Sequence, residues 1–329
     1  MLRLFLLAAV LAAGLHADQQ VLLVLFKGAS ALAFYTLEGQ LLGKVPVGLH
    51  PHEMVISVDG RYAYTTDNGT MKIEQPGKGG NSISVVDLHA RKRVGKISTE
   101  VYYRPHGISL DPVNGVLAVT SELPERVLLV DPARRKLIRN FETKGKTTHM
   151  VAFGPGKSGA LYAFACNSGE DTVSVVQLTT GHVKKIVTGQ RPEGNVISPD
   201  GALLYVANRE SHTISIIDTE RQAVINEIKT SKGPVRIGIT PDNKTLVVAA
   251  MHDRLIEFVD LATRQVSGKV ALKGQPVSCT VSKDGKYAFA SAEADDIVYV
   301  VSVPERKLIR EIKTEKGSGP DAVLLITLP

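Results

Sequence analysis

The stretch Arg191-Pro-Glu-Gly-Asn-Val-Ile-Ser-Pro-Asp-Gly201, Leu204-Tyr-Val-Ala-Asn208, Thr213-Ile-Ser-Ile-Ile-Asp218 and Val224-Ile-Asn-Glu-Ile228 decides the fold. It reads as a proline-led loop, a short apolar strand, an Asp-Gly turn and a second strand. A polar loop, a third strand ending in Asp and a fourth strand follow. The phrase occurs six times in the chain. Its period of roughly 40 to 45 residues, with four strands per unit, is the signature of a β-propeller blade.

Working outward, the innermost strands begin Pro51-His-Glu-Met-Val-Ile-Ser57, Pro105-His-Gly-Ile-Ser-Leu110 and Thr148-His-Met-Val-Ala-Phe153 in blades 1 to 3. In blades 4 to 6 they begin at Pro192, at Pro234-Val-Arg-Ile-Gly-Ile-Thr240 and at Pro276-Val-Ser-Cys-Thr-Val-Ser282. The turns that follow carry Asp59-Gly60, Asn114-Gly115, Asp200-Gly201, Asp242-Asn243 and Asp284-Gly285. Such pairs mark hairpins because Gly, and to a lesser degree Asn, accepts positive φ. Asp87, Asp131, Asp218 and Asp260 end third strands, where an Asp side chain bonds its own turn backbone.

A seventh blade is split. The chain closes on Pro320-Asp-Ala-Val-Leu-Leu-Ile326, an innermost strand with no partners after it. The three missing strands stand at the start: Gln20–Phe26, Ala31–Tyr35 and Leu41–Val45. The sequence therefore predicts an all-β, seven-bladed propeller of four-stranded antiparallel blades over residues 18–329, its ring closed by N- and C-terminal strands sharing one blade. Closure of this kind removes the open sheet edges.

Residues 1–17 have a different character. A basic start at Met1-Leu-Arg3, an apolar run from Leu4 to Ala13, and Ala17 at the cleavage position read as a secretory signal peptide. The expected location is periplasmic or secreted. No other apolar run is long enough to span a bilayer, so no integral membrane segment is expected after cleavage. The two cysteines, Cys166 and Cys279, fall in blades 3 and 6, too far apart for a disulfide, and are expected to be unpaired and buried. The net charge is +6, with Lys and Arg gathered in the third-to-fourth strand turns such as Arg91-Lys-Arg93 and Arg134-Arg-Lys136. These turns read as a solvated face or a docking surface for an acidic partner or membrane headgroups. No aromatic residues interleave them, and nucleic acid is not an expected partner.

Chemistry is expected at the opposite end of the ring, where the loops leading into the innermost strands meet. The residue after the repeat proline (Thr148 in blade 3) is, in ring order, Asp321, His52, His106, His149, Glu193, Val235 and Val277. Five consecutive blades thus offer an ionisable group at one equivalent position around one axis. Side chains alternate along a strand, so the next position (Glu53, Gly107, Met150, Gly194, Arg236, Ser278, Ala322) competes to line the channel. His52, His106 and His149 are the candidate ligands for a transition metal, zinc, copper or iron. The same set also suits an organic ligand, with Glu193 and Asp321 at its flanks and Arg209 and Arg236 as anion binders. The loops joining second and third strands add Lys27, Asp67, Glu122, Asn167, Asn208, His252 and Glu293 as an outer ring. An insertion from Met71 to Asn81 reads as a mobile lip over the channel mouth. The chain carries no nucleophile elbow, metalloprotease, dinucleotide or haem-attachment motif, and no catalytic residue is assigned.

The Tyr-Val-Ala-Asn208 phrase, between Ser-Pro-Asp-Gly201 and Ile-Ser-Ile-Ile-Asp218, resembles the YVTN-type β-propeller repeat of secreted bacterial and archaeal proteins. That resemblance spans residues 18–329 and implies the propeller fold. The wider group is similar to surface-layer propellers, the haem d1 domain of cytochrome cd1 nitrite reductase, the methylamine dehydrogenase heavy chain and propeller lactonases. Three readings follow. The first is an exported binding or scaffold protein, its small-molecule or protein partner at the top face. The second is a metal- or tetrapyrrole-binding, redox-associated propeller, in which Arg104, Arg209 or Arg236 would meet the propionates. The third is a lactonase-type hydrolase. Fold alone does not choose among them.

Overall fold

The computed structural model describes residues 19–155 and 160–328; the expected signal peptide lies outside the described residues. Seven four-stranded antiparallel sheets form the seven blades of a propeller. The split blade is built as the repeat requires. Its strands run in the order Pro320–Leu328, Gln19–Phe26, Ala31–Tyr35 and Leu41–Pro46, with Val323 opposite Val24 and Leu325 opposite Leu22. Blade 1 comprises Pro51–Ile56, Tyr62–Asp67, Ser82–Asp87 and Lys92–Ser98, and the same order holds in the others.

The apolar runs follow from burial on both faces of each blade. Along Gln19–Phe26, Val21, Leu23 and Leu25 pack with Met54, Ala63 and Val86 of blade 1. Leu22, Val24 and Phe26 point the other way and pack with Phe289, Val298 and Val300 of blade 6. With period-two side chains covered on both sides, a strand needs no polar face, and the sequence shows a continuous run instead of alternation.

Turn chemistry fixes register. Asp200 Oδ1 accepts from the Ser198 hydroxyl and the Ala202 N–H, while Gly201 takes a φ of 72°. Asp59 and Asp284 repeat this arrangement. Asp87, Asp131, Asp218 and Asp260 accept backbone N–H groups of their turns, as their position predicts. In blade 6 the innermost ladder is reduced to Thr280–Val281. There the Ser278 hydroxyl accepts the N–H of Ser291.

Cys166 and Cys279 are buried free thiols. Burial raises both above the ordinary thiol range, which makes them inert. Among the described residues no helix is long and apolar enough to cross a membrane.

Candidate ligand site at the mouth of the channel

The innermost strands do not pair evenly. In blade 1 Pro51 faces Asp67 but Met54 faces Thr65, so His52 and Glu53 share a β-bulge. The same extra residue falls at His106-Gly107, His149-Met150, Glu193, Val235 and Asp321-Ala322. A bulge lets successive residues escape strict alternation. Both candidate rows therefore reach the channel: His52 lines its mouth, and Glu53 accepts from Arg236 Nη2 across the ring at 3.0 Å.

Hydroxyls of the second strands join neighbouring bulges. Thr66 Oγ1 accepts from the Glu53 N–H at 3.1 Å and donates to the His106 carbonyl at 2.8 Å. Thr120 Oγ1 does the same between Gly107 N–H and the His149 carbonyl. Gly107 is required for the approach of blades 2 and 3: a Cβ there would lie 2.7 Å from the His149 carbonyl oxygen and 2.8 Å from Met150 Cα. Gly107→Ala should push the two strands apart, cost about 1–3 kcal/mol and separate the rings of His106 and His149. Denaturant unfolding together with the imidazole NMR signals checks this, and an unchanged His106–His149 contact would contradict it.

The three histidines form one buried stack. His52 Nδ1 lies 2.8 Å from His106 Nε2, and the His106 and His149 rings are 3.7 Å apart at their centroids. Their hydrogen bonds assign the protons. His52 Nε2 lies 2.8 Å from the Thr70 carbonyl, which only accepts, so this nitrogen carries the proton. His52 Nδ1 then accepts from His106 Nε2–H. His106 Nδ1 is left as a buried lone pair with no hydrogen-bond partner. His149 Nδ1 donates to Glu122 Oε1 at 3.0 Å, which leaves its Nε2 for a ligand.

Burial, reinforced by Lys27, holds His52 well below its ordinary pKa of 6.5. Burial, then His149 and His52, does the same for His106. Both are neutral in the fold. A depressed folded pKa contributes stability that is present above the unfolded value and lost as pH falls below about 6.5. Each imidazole should remove about 1.4 kcal/mol per pH unit on that side. Asp321 has the opposite sign: burial, with Glu53 and Glu293 nearby, pushes its carboxyl up to about 7. Its contribution falls as pH rises from the ordinary carboxylate range toward 7. Melting temperatures from pH 5 to 7.5 should show His106→Gln flattening the acid limb and Asp321→Asn flattening the neutral one. A His106→Gln profile parallel to wild type would refute the assignment.

The stack opens into a cavity of about 360 Å³, which Glu193, Asp321, Val235 and Val277 also line. Most of its charges are paired within the site. Arg209 donates to Glu193 Oε1 at 3.0 Å, and Arg191 Nε donates to the same oxygen at 2.7 Å. Burial opposes the Glu193 carboxylate, but His149 and the arginines outweigh it and hold the pKa low. Lys27, itself buried, reaches Glu293 at 3.0 Å and Asp321 at 3.6 Å. The expected anion binders Arg209 and Arg236 thus already face Glu193 and Glu53.

Several expected roles change. Asp67, Asn167 and Asn208 do not form an outer polar ring. They are buried and bond Ser82 and Ser84, Thr172 and Ser174, and Thr213 and Ser215, which ties second to third strands. Arg104 is not free for a propionate, because its guanidinium bonds the carbonyls of Ile73, Gln75 and Gly77. That clamp lays Met71, Lys72, Ile73 and Glu74 against the cavity as a roof. His52 has both ring nitrogens engaged. Glu122, read in the sequence only as part of a loop, is a partner of His149. Its position at the end of a second strand, beside a histidine-bearing blade, was the available signal.

Residues 150–258 match the YNCE-like beta-propeller family. The chain is a seven-bladed β-propeller whose repeat resembles the YVTN type. No curated protein matches the sequence. Among solved structures, this propeller is similar to a functionally unknown protein from Desulfotomaculum acetoxidans, at 14% identity and a TM-score of 0.77. That match covers 93% of this chain and 98% of the other. It is similar to Kuenenia stuttgartiensis hydrazine synthase at 18% identity and a TM-score of 0.70, covering 84% and 90%. Dihydro-heme d1 dehydrogenase NirN in complex with DHE aligns at 14% identity and a TM-score of 0.64, covering 90% of this chain and 64% of that one. At these identities the likeness is one of fold.

Proposed function

We propose that this β-propeller is an exported binding protein whose small polar ligand occupies the cavity over His52, His106 and His149. The observation that carries this reading is the unpartnered, buried Nδ1 of His106 in a cavity where Glu193, Asp321, Arg209 and Arg236 all stand in ion pairs. Burying an imidazole lone pair without a partner is costly, and a ligand offering a donor or a positive centre removes that cost. Glu193 and Asp321 flank the same space, and Arg209 and Arg236 reach it once loosened from their carboxylates. Export rests on residues 1–17 as a signal peptide; mass spectrometry of the exported protein should find a mature start at Asp18.

A second reading, a tetrapyrrole on the histidines, draws on the imidazole stack and on the fold likeness to NirN. A macrocycle there would need the roof of residues 71–74 to move aside. A lactonase of the calcium type would need an oxygen cage, and the donors around this cavity are imidazole-rich. The deciding experiment is native mass spectrometry of untagged protein purified from its own exported fraction, with a visible spectrum. A bound molecule present in wild type and absent from His106→Ala supports the binding reading, and a Soret-like band would select the tetrapyrrole. A wild-type protein that carries nothing, and that no small-molecule panel stabilises, would reduce it to a scaffold.

A further inference from the structure

We infer that His106, His149 and Glu122 form a site for one borderline divalent transition-metal ion of the zinc, copper or cobalt class, with His52 holding His106 from behind. This rests on the binding reading above and names the ligand class. It also changes the donor set: the sequence offers three equivalent histidines, but His52 has no free nitrogen and Glu122 takes its place.

Three observations converge. One donor atom from each of His106, Glu122 and His149 can be chosen so that all lie within 4.8 Å of one another, and all three residues are buried. Each histidine already has the outer partner that a metal ligand needs. His106 Nε2–H donates to His52, which is anchored on the Thr70 carbonyl, and His149 Nδ1–H donates to Glu122. Metal-bound imidazoles almost always donate their other N–H in this way, which fixes tautomer and orientation. The nitrogen that this arrangement leaves on His106 is buried and unpartnered. Glu122 serves either as a third ligand or as the carboxylate behind His149. Imidazole nitrogens with one carboxylate suit zinc, copper and cobalt over calcium or magnesium. The open cavity beside the stack leaves a position for solvent or a further ligand.

The test is titration of chelator-stripped, untagged protein with Co²⁺, read by its visible d–d band, and with Zn²⁺ in competition with a chromogenic chelator. One equivalent should bind. His106→Ala and His149→Ala should each lower affinity at least 100-fold. His52→Gln and Glu122→Gln should lower it about 10- to 100-fold. His89→Ala, which alters an exposed turn histidine outside the site, should leave it unchanged. Should the alanine variants fail to fold, the Cu²⁺ EPR spectrum of wild type decides, since two imidazole donors give nitrogen superhyperfine structure. Absence of stoichiometric uptake, uptake that survives both His106→Ala and His149→Ala, or a Cu²⁺ spectrum without nitrogen coupling would overturn the inference. An organic molecule found in the cavity of a protein that takes no metal would leave the binding reading standing and remove only the metal.

Discussion

Removing Pro320–Pro329 should abolish folding. The strand Pro320–Leu328 is the innermost of the split blade, and its Val323, Ile326 and Leu328 are buried. Three such side chains are worth about 2 kcal/mol each, before the ladder to Gln19–Phe26 is counted. That sum is comparable with the whole stability of a typical domain, about 5–15 kcal/mol. The loss also exposes the edge of Gln19–Phe26 and opens the ring, so aggregation should accompany it. Asp321 leaves with the strand, and Ser291 loses the carbonyl to which it donates. Expression of the truncated chain, followed by circular dichroism and size-exclusion chromatography, checks this. A monomer melting within a few degrees of the intact protein would show that closure by the termini is dispensable. A synthetic 320–329 peptide added in trans should restore part of the signal.

Arg236→Met should be the most damaging single substitution in the channel. The Arg236 guanidinium donates twice to Glu53 Oε1, and its side chain is 11% exposed. Burial alone would lower its pKa, yet Glu53, Asp321 and Glu193 together raise it, so three carboxylates lie in the field of this cation and Glu53 bonds it directly. Removing one partner of a buried pair leaves an uncompensated charge and costs about 3–5 kcal/mol. Arg236→Met should lose that much in denaturant unfolding, and Glu53→Met on top of it should recover most of the loss. A single-variant cost below about 1 kcal/mol would mean that the pair contributes little. Because Glu193 is held charged partly by Arg236, the variant should also raise the Glu193 pKa.

Much of this protein is determined locally and is therefore legible in its sequence. Asp-Gly and Asp-Asn turns, the Asp that ends four of the third strands and the unbroken apolar runs act over a few residues each. Repetition then fixes the blade count, and the orphan strand at Pro320 fixes where the ring closes. Equivalence between repeats also brings His52, His106, His149, Glu193 and Asp321 to one place, because an axis of pseudo-symmetry turns position in a repeat into position in space. Only the tertiary structure decided the rest. Whether His52 or Glu53 faces the channel has no answer from alternation, because a bulge places both there. Arg236 meets Glu53 across 183 residues of sequence, and no local pattern encodes that pairing. Which nitrogen of three similar histidines is left open depends on the Thr70 carbonyl, on Glu122 and on a ring separation that Gly107 permits. Those are contacts between blades, set by how closely neighbouring strands pack, and a repeat read along the chain carries no measure of that distance.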